Sequence, residues 1–179
     1  EELLFRYASL HWSIPVSSGY GRRLRFLVVD NQNGKLIGLI GFGDPVFSLS
    51  SRDNWVGWSK GDREKRLNHV MDAFILGSVP PYSYLLGGKL VAMLAGSDEV
   101  RKAFSRKYRA RIGMISQRPL NGNLAMITTH SALGRSSIYN RLTFQGRKLF
   151  VPVGYTEGSG EFQFANALYQ DIREYAELH

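Results

Sequence analysis

The stretch Thr128 to Arg141, TTHSALGRSSIYNR, gathers hydroxyls around one histidine and two arginines and holds few bulky apolar residues. His130 closes an apolar run beside Ser131, at a strand end where catalytic side chains project, and histidine moves protons near neutral pH. Around this segment, from Val100 to Thr156, lie eleven Lys or Arg and no Asp or Glu. The whole chain nets +8, so the 12 basic and 15 acidic residues outside that window sum to −3. A regional positive field is what a polyanion-binding surface needs. The expected partner is nucleic acid, DNA in particular, with Arg106, Lys107, Arg109, Arg111, Arg135, Ser136, Ser137, Asn140 and Arg141 as its contacts. The plainer alternative is a solvated face that keeps the protein in solution.

Other motifs narrow the chemistry. Gly87-Gly88-Lys89 is not a nucleotide-triphosphate loop, because Leu90 stands where Ser or Thr must hold magnesium. The two glycines either free backbone N–H groups for a phosphate or let a helix pack closely. His11, His69, His130 and His179 lack helical ligand spacing, and cysteine is absent, so no metal site is expected. His69 reads as structural. No G-x-S-x-G surrounds a serine. A metal-dependent nuclease would require carboxylates such as Asp44, Asp53 and Glu161 to converge from loops and strands. Trp55 and Trp58 follow Arg52, and aromatics among cations can stack on bases. Trp55 is expected in the core, while for Trp58 core and base contact stay equally open.

These residues need elements to position them. Leu24–Val29 and Leu36–Phe42 flank Asp30 to Gly34 as an antiparallel hairpin. Gly38, Gly41 and Gly43 mark a bulge or a second backbone passing close. Asp53–Trp58 reads as a short strand. Ser59 and Asp62 form a capping box opening a helix that presents Leu67, Val70 and Met71 on one face. A buried strand spans Ala73–Leu76, ahead of Pro80 and Pro81. Helices are expected from about Tyr84 to Ala95 and, strongly basic, from Asp98 to Lys107. Ile112–Ile115 and Leu124–Thr129 read as strands and Ser136–Leu142 as a short helix. Leu149–Val153 and Glu161–Phe164 make a last strand pair. A closing helix, Asn166–Leu178, turns Leu168, Ile172 and Tyr175 inward. The class is α+β: a mostly antiparallel, mixed sheet flanked by helices, in one domain over residues 1–179. No apolar run is long enough to span a bilayer, and a cytoplasmic protein is expected. The chain opens on Glu1 rather than Met, which leaves room for a region upstream.

Four segments in order, RDNWVGWS, LGSVPPYSYLLGGKLVAML, TTHSALGRSSIYNR and PVGYTEGSGEF, resemble the DruA family of the Druantia anti-phage defence system. The likeness runs from about Gly21 to Tyr175. It implies a role in defence against phage alongside other proteins of that system. The order of elements is also similar to that of the GNAT (Gcn5-related) acyltransferases. That resemblance implies an acyl-coenzyme A lying in a split between Ala73–Leu76 and Leu124–Thr129. Its pyrophosphate would sit at Tyr84, Gly87, Gly88 and Lys89, although YSYLLGGKL lacks the usual Gln/Arg-x-x-Gly-x-Gly/Ala signature. Tyr139 stands where such enzymes carry the tyrosine that protonates the departing thiolate. The stretch around it is also similar to one in the DNA-modifying protein Mom. The resemblance then makes Tyr139 the acid and Asp72 or His130 the base, with Ser131, Ser136, Ser137 and Asn140 holding substrate. Packing alone would instead make Tyr139 a core aromatic and Ser136 a helix cap. A base-modifying transferase, an inert DNA-recognition module that recruits defence partners, and a metal-dependent nuclease are the activities to be distinguished.

Overall fold

The computed structural model describes residues 1–14, 21–113, 117, 119–131, 138–156 and 167–179. Its centre is a four-stranded mixed sheet in the order β1-β2-β3-β4, formed by Arg23–Val29, Leu36–Gly43, Val70–Ser78 and Met126–Thr129. β1 and β2 are the antiparallel hairpin expected from the sequence, and β3 runs antiparallel to β2. The hairpin turn is organised by short polar side chains, which fold onto their own backbone. Asp30 accepts from the Gln32 amide at 2.9 Å, Asn33 accepts from the Lys35 amide at 2.8 Å, and Gly34 takes φ +69°. Tyr82 clamps the turn by donating to Asp30 at 2.8 Å.

The glycines of β2 answer to close approach. A Cβ on Gly38 would run into the Gly77 carbonyl oxygen and Val91, and one on Gly41 would lie 2.7 Å from the Phe74 ring. The pairing slips between Gly41 and Phe42, which face Ile75 and Ala73, so Phe74 is the extra residue of a bulge. One face of the sheet packs Leu24, Ile40, Phe42, Met71 and Ala73 against two helices, α4 (Gly87–Leu94) and α5 (Asp98–Tyr108). The other buries Leu39, Ile75 and Val79 under Phe5 and Ala8 of α1 (Glu2–Ala8).

Several expectations need correcting. Asp53–Trp58 is not a strand. Ser50–Val56 is a helix, α2, stopped by Gly57 in the left-handed conformation at φ +77°. The Ser59–Asp62 capping box is present and starts α3, but α3 ends at Arg66. Val70 and Met71 leave it for β3, because sheet pairing buries them fully. α4 begins only at Gly87, since Leu86 stands at φ +62° behind a 3-10 turn over Tyr82–Leu85. Ile112 makes an isolated bridge to Pro119, and 114–116 lie outside the described residues.

Beyond β4 (narrower than Leu124–Thr129), the expected helix Ser136–Leu142 is a 3-10 turn over Tyr139–Arg141, its first two residues lying outside the described ones. Leu149–Val153 forms no strand. A two-residue hairpin, β5 (Thr143–Phe144) and β6 (Arg147–Lys148), precedes it, with Gln145 and Gly146 both at positive φ. Glu161–Phe164 lies outside the described residues. The closing helix α6 (Ala167–Leu178) exposes Leu168, Ile172 and Tyr175 instead of burying them. Among the described residues, no helix is long and apolar enough to cross a membrane.

Candidate nucleic-acid interface and a paired histidine

α5 is amphipathic by spacing. Val100, Phe104 and Tyr108, four residues apart, are buried against the sheet, which forces the intervening cations outward. Asp98 and Glu99 occupy its first turn and Arg106 and Lys107 its last, each sign where the helix dipole favours it. Lys102, Ser105, Arg106 and Arg109 line one shallow depression. Among the described residues no carboxylate pairs with Lys102, Arg106 or Arg109, whereas Arg101 reaches Asp98 at 3.8 Å.

Lys107 turns the other way. Its Nζ donates to the Arg23 carbonyl at 2.6 Å, beside the Tyr108 hydroxyl, which donates to the same oxygen at 2.9 Å. Burial, then the charges of Arg111 and Arg25, push its pKa down. Lys107 and Arg111 therefore belong to a second group of cations rather than to the Lys102–Arg109 row. Arg141, Arg147 and Lys148 are exposed, the last two on the small hairpin, and Asn140 is half-buried. Arg135, Ser136 and Ser137 lie outside the described residues.

The parallel pairing of β3 with β4 sets Asp72 opposite Thr128. Thr128 Oγ1 donates to Asp72 Oδ1 at 2.6 Å, and His130 Nδ1 lies 3.3 Å from the same oxygen. That hydrogen bond raises the His130 pKa, with burial opposing it and the Asp72 charge reinforcing it. Asp72 thus orients the ring through Nδ1, so that a proton transfer at this imidazole would use Nε2. Ser131 is exposed next to it.

Tyr139 keeps different company. Thr129 Oγ1, on the opposite face of β4 by strand alternation, donates to the Ala73 carbonyl at 3.0 Å and shares a hydrogen bond with Tyr139. The Tyr139 hydroxyl also reaches the Leu76 carbonyl at 3.4 Å, where β3 runs past the end of β4. Its ring stacks on Phe150 with centroids 4.9 Å apart. Burial raises its pKa, with the Thr129 bond opposing. The structure brings Asp72 and His130 together and sets Tyr139 against the α4–α5 core.

The segment from Tyr84 to Lys89 is explained by packing. A Cβ on Gly87 would sit 2.6 Å from the Tyr82 carbonyl oxygen and 3.1 Å from the Ser78 Cβ. The Lys89 amide already donates to the Leu86 carbonyl at 3.0 Å. Tyr84 projects into solvent, 81% exposed. The amides of Tyr84 and Leu86 are likewise bonded to carbonyls, those of Pro81 and Tyr82.

RDNWVGW proves to be a folding device. Arg52 and Asp53 are both buried and joined by two hydrogen bonds, at 2.8 and 2.6 Å. Arg52 further donates to the Val46 and Phe47 carbonyls. Asp53 accepts from the Leu49 amide and from Arg63. Burial works to raise the Asp53 pKa, but the Arg52 bond and the Leu49 amide outweigh it and hold the carboxyl below its usual range.

Trp58 packs under Arg52, with Cζ 5.8 Å from the ring centroid, and is half-buried. Trp55, expected in the core, is 57% exposed. Asp44 pairs with Arg22 at 2.6 Å, and Glu161 lies outside the described residues. His69 holds the Asn123 carbonyl at 3.0 Å. Among the described residues no three metal-ligating side chains cluster.

Sequence reasoning missed a groove of about 340 Å³ beside edge strand β4. Trp55, Met93, Arg101, Thr128, Phe150 and Val151 are among its walls. Its residues come from five separate segments, so no local pattern announces it.

Fold and site together define a small α+β domain with a basic helical face and an aspartate-held histidine at the end of its edge strand. The chain belongs to the DruA family: the family model described as Druantia protein DruA matches residues 1–179. It is also 51% identical over 172 residues to the Druantia protein DruA of Escherichia coli (strain UMEA 4076-1). That alignment takes in 96% of this chain and 43% of the relative, so the chain spans less than half the relative's length. No solved structure matches.

Proposed function

We propose that the protein serves in anti-phage defence, beside other defence proteins, by binding nucleic acid through the outer face of α5. The observation that carries this reading is the row Lys102, Arg106 and Arg109, which lines one depression with no carboxylate within ion-pair distance among the described residues. Cations on a rigid helix attract phosphates and set the register of a strand without reading its sequence. Reversing all three to Glu is expected to abolish binding to a labelled DNA in a fluorescence anisotropy titration, for every sequence tried. Unchanged affinity in the folded variant would remove α5 as the contact face.

A second reading rests on Asp72 and His130. An imidazole held through Nδ1 presents Nε2 as a general base or acid, so a base-modifying or other proton-transfer step on the bound nucleic acid would centre on His130. His130→Gln should then abolish protection in a phage-plating assay while DNA affinity stays at the parental value. Protection at the parental level would leave the protein a recognition module that recruits its partners.

A further inference from the structure

The groove beside β4 and the basic depression share α5: Arg101 lines the groove, and Lys102, the next residue and about 100° further round the helix, lines the depression. Arg101 pairs with Asp98 at 3.8 Å, both side chains being well exposed (64% and 75%), and an ion pair of that kind is weak and easily exchanged for a phosphate. Across the groove stand flat or apolar groups: the Trp55 indole, Met93, Phe150 and Val151. Trp55 is 57% exposed on α2, which already buries Arg52 and Asp53, so the fold does not need the indole for its core. A volume of about 340 Å³ falls at the small end of ligand pockets, enough for one planar ring system.

We infer that this groove receives a single unpaired nucleobase from a strand whose phosphates follow Arg101, Lys102, Arg106 and Arg109, the base stacking on Trp55. The inference rests on the α5 reading and adds the substrate class: single-stranded or locally opened nucleic acid rather than intact duplex. Stacking on an exposed aromatic with phosphates on adjacent cations is the general way unpaired strands are held, and a base must leave its pair to enter such a slot.

The test uses three labelled probes of equal length: a single strand, the same strand with abasic sugars throughout, and the duplex. The protein should bind the base-bearing single strand about ten- to a hundredfold more tightly than the abasic one, the range of a lost base–aromatic stack. Trp55→Ala should erase that preference and leave abasic and duplex binding unchanged. Val151→Glu, at another lining residue that is already 55% exposed, should do the same without touching the indole. Lys102→Glu/Arg106→Glu/Arg109→Glu should instead weaken all three probes alike. Equal affinity of the parent for base-bearing and abasic strands, or a preference that survives both groove variants, would overturn the groove while leaving the α5 footprint standing. Failure of the parent to bind any probe would overturn both.

Discussion

Asp53→Ala is the substitution whose cost the structure defines most closely. The Asp53 carboxylate accepts four hydrogen bonds: two from Arg52, at 2.8 and 2.6 Å, one from the Leu49 amide at 3.1 Å, and one from Arg63 at 3.0 Å. Its side chain is 3% exposed and that of Arg52 2%. Removing it strands a guanidinium in the interior with the Val46 and Phe47 carbonyls and the Trp58 ring but no counter-charge bonded to it among the described residues. Breaking one partner of a buried ion pair costs about 3–5 kcal/mol. At roughly 2–4 °C per kcal/mol for a chain of this size, the melting temperature should fall by about 6–20 °C. Thermal and urea unfolding followed by circular dichroism would read it. The double variant Arg52→Met/Asp53→Leu should recover part of the loss, because it removes the stranded charge but leaves the Leu49 amide, the Val46 and Phe47 carbonyls and Arg63 without these partners. A loss below about 1 kcal/mol for Asp53→Ala, or a double variant as damaged as the single one, would refute the reasoning.

Three further outcomes follow from single contacts. Gly38→Ala should destabilise by about 1–3 kcal/mol, the cost of overpacking, because the new Cβ meets the Gly77 carbonyl and Val91; urea midpoints would show it. The raised pKa of His130 means its bond to Asp72 contributes fully below the unfolded pKa, about 6.5, and that contribution disappears as pH rises through the higher folded value. A melting series across that range should show the decline in the parent and lose it in Asp72→Asn. Tyr139→Phe keeps the ring against Phe150 and forfeits a 3.4 Å contact to the Leu76 carbonyl together with the hydrogen bond to Thr129, so it should cost about 1–2 kcal/mol in a melting curve and leave phage protection intact.

Where local chemistry decides, the elements were legible. The Asp30–Gly34 turn, the Ser59–Asp62 capping box and the four-residue spacing of Val100, Phe104 and Tyr108 each act over one or two turns of chain. Where a distant partner decides, they were not. Trp55, Val56 and Trp58 favour a strand by type, but Arg52 and Asp53 bury their charges on each other and Gly57 closes a helix around them. Val70 and Met71 suit a helix until β4 pairs with them. His130 could be named as a candidate because it ends an apolar run, and Asp72 through the acyltransferase resemblance. Their meeting depends on the parallel register of β3 and β4, whose paired residues lie 56 apart in the chain, and no pattern within either segment encodes it. Tyr139 was read through a resemblance; its own neighbours make it a lid on the open edge of β3.

Salt dependence tests the central claim most directly, because it counts phosphates rather than infers them. Binding of a short duplex would be titrated by anisotropy at several salt concentrations for the parent and for the Lys102→Glu/Arg106→Glu/Arg109→Glu variant. Each phosphate neutralised contributes about −0.9 to the slope of log K against log salt on B-DNA. If the three cations of the depression and Arg101 all meet phosphates, the parent slope should lie near −3.6. The variant should bind too weakly to measure, or retain a slope near −1. A parent slope near zero, or the same slope in parent and variant, would contradict the α5 face as the nucleic-acid interface.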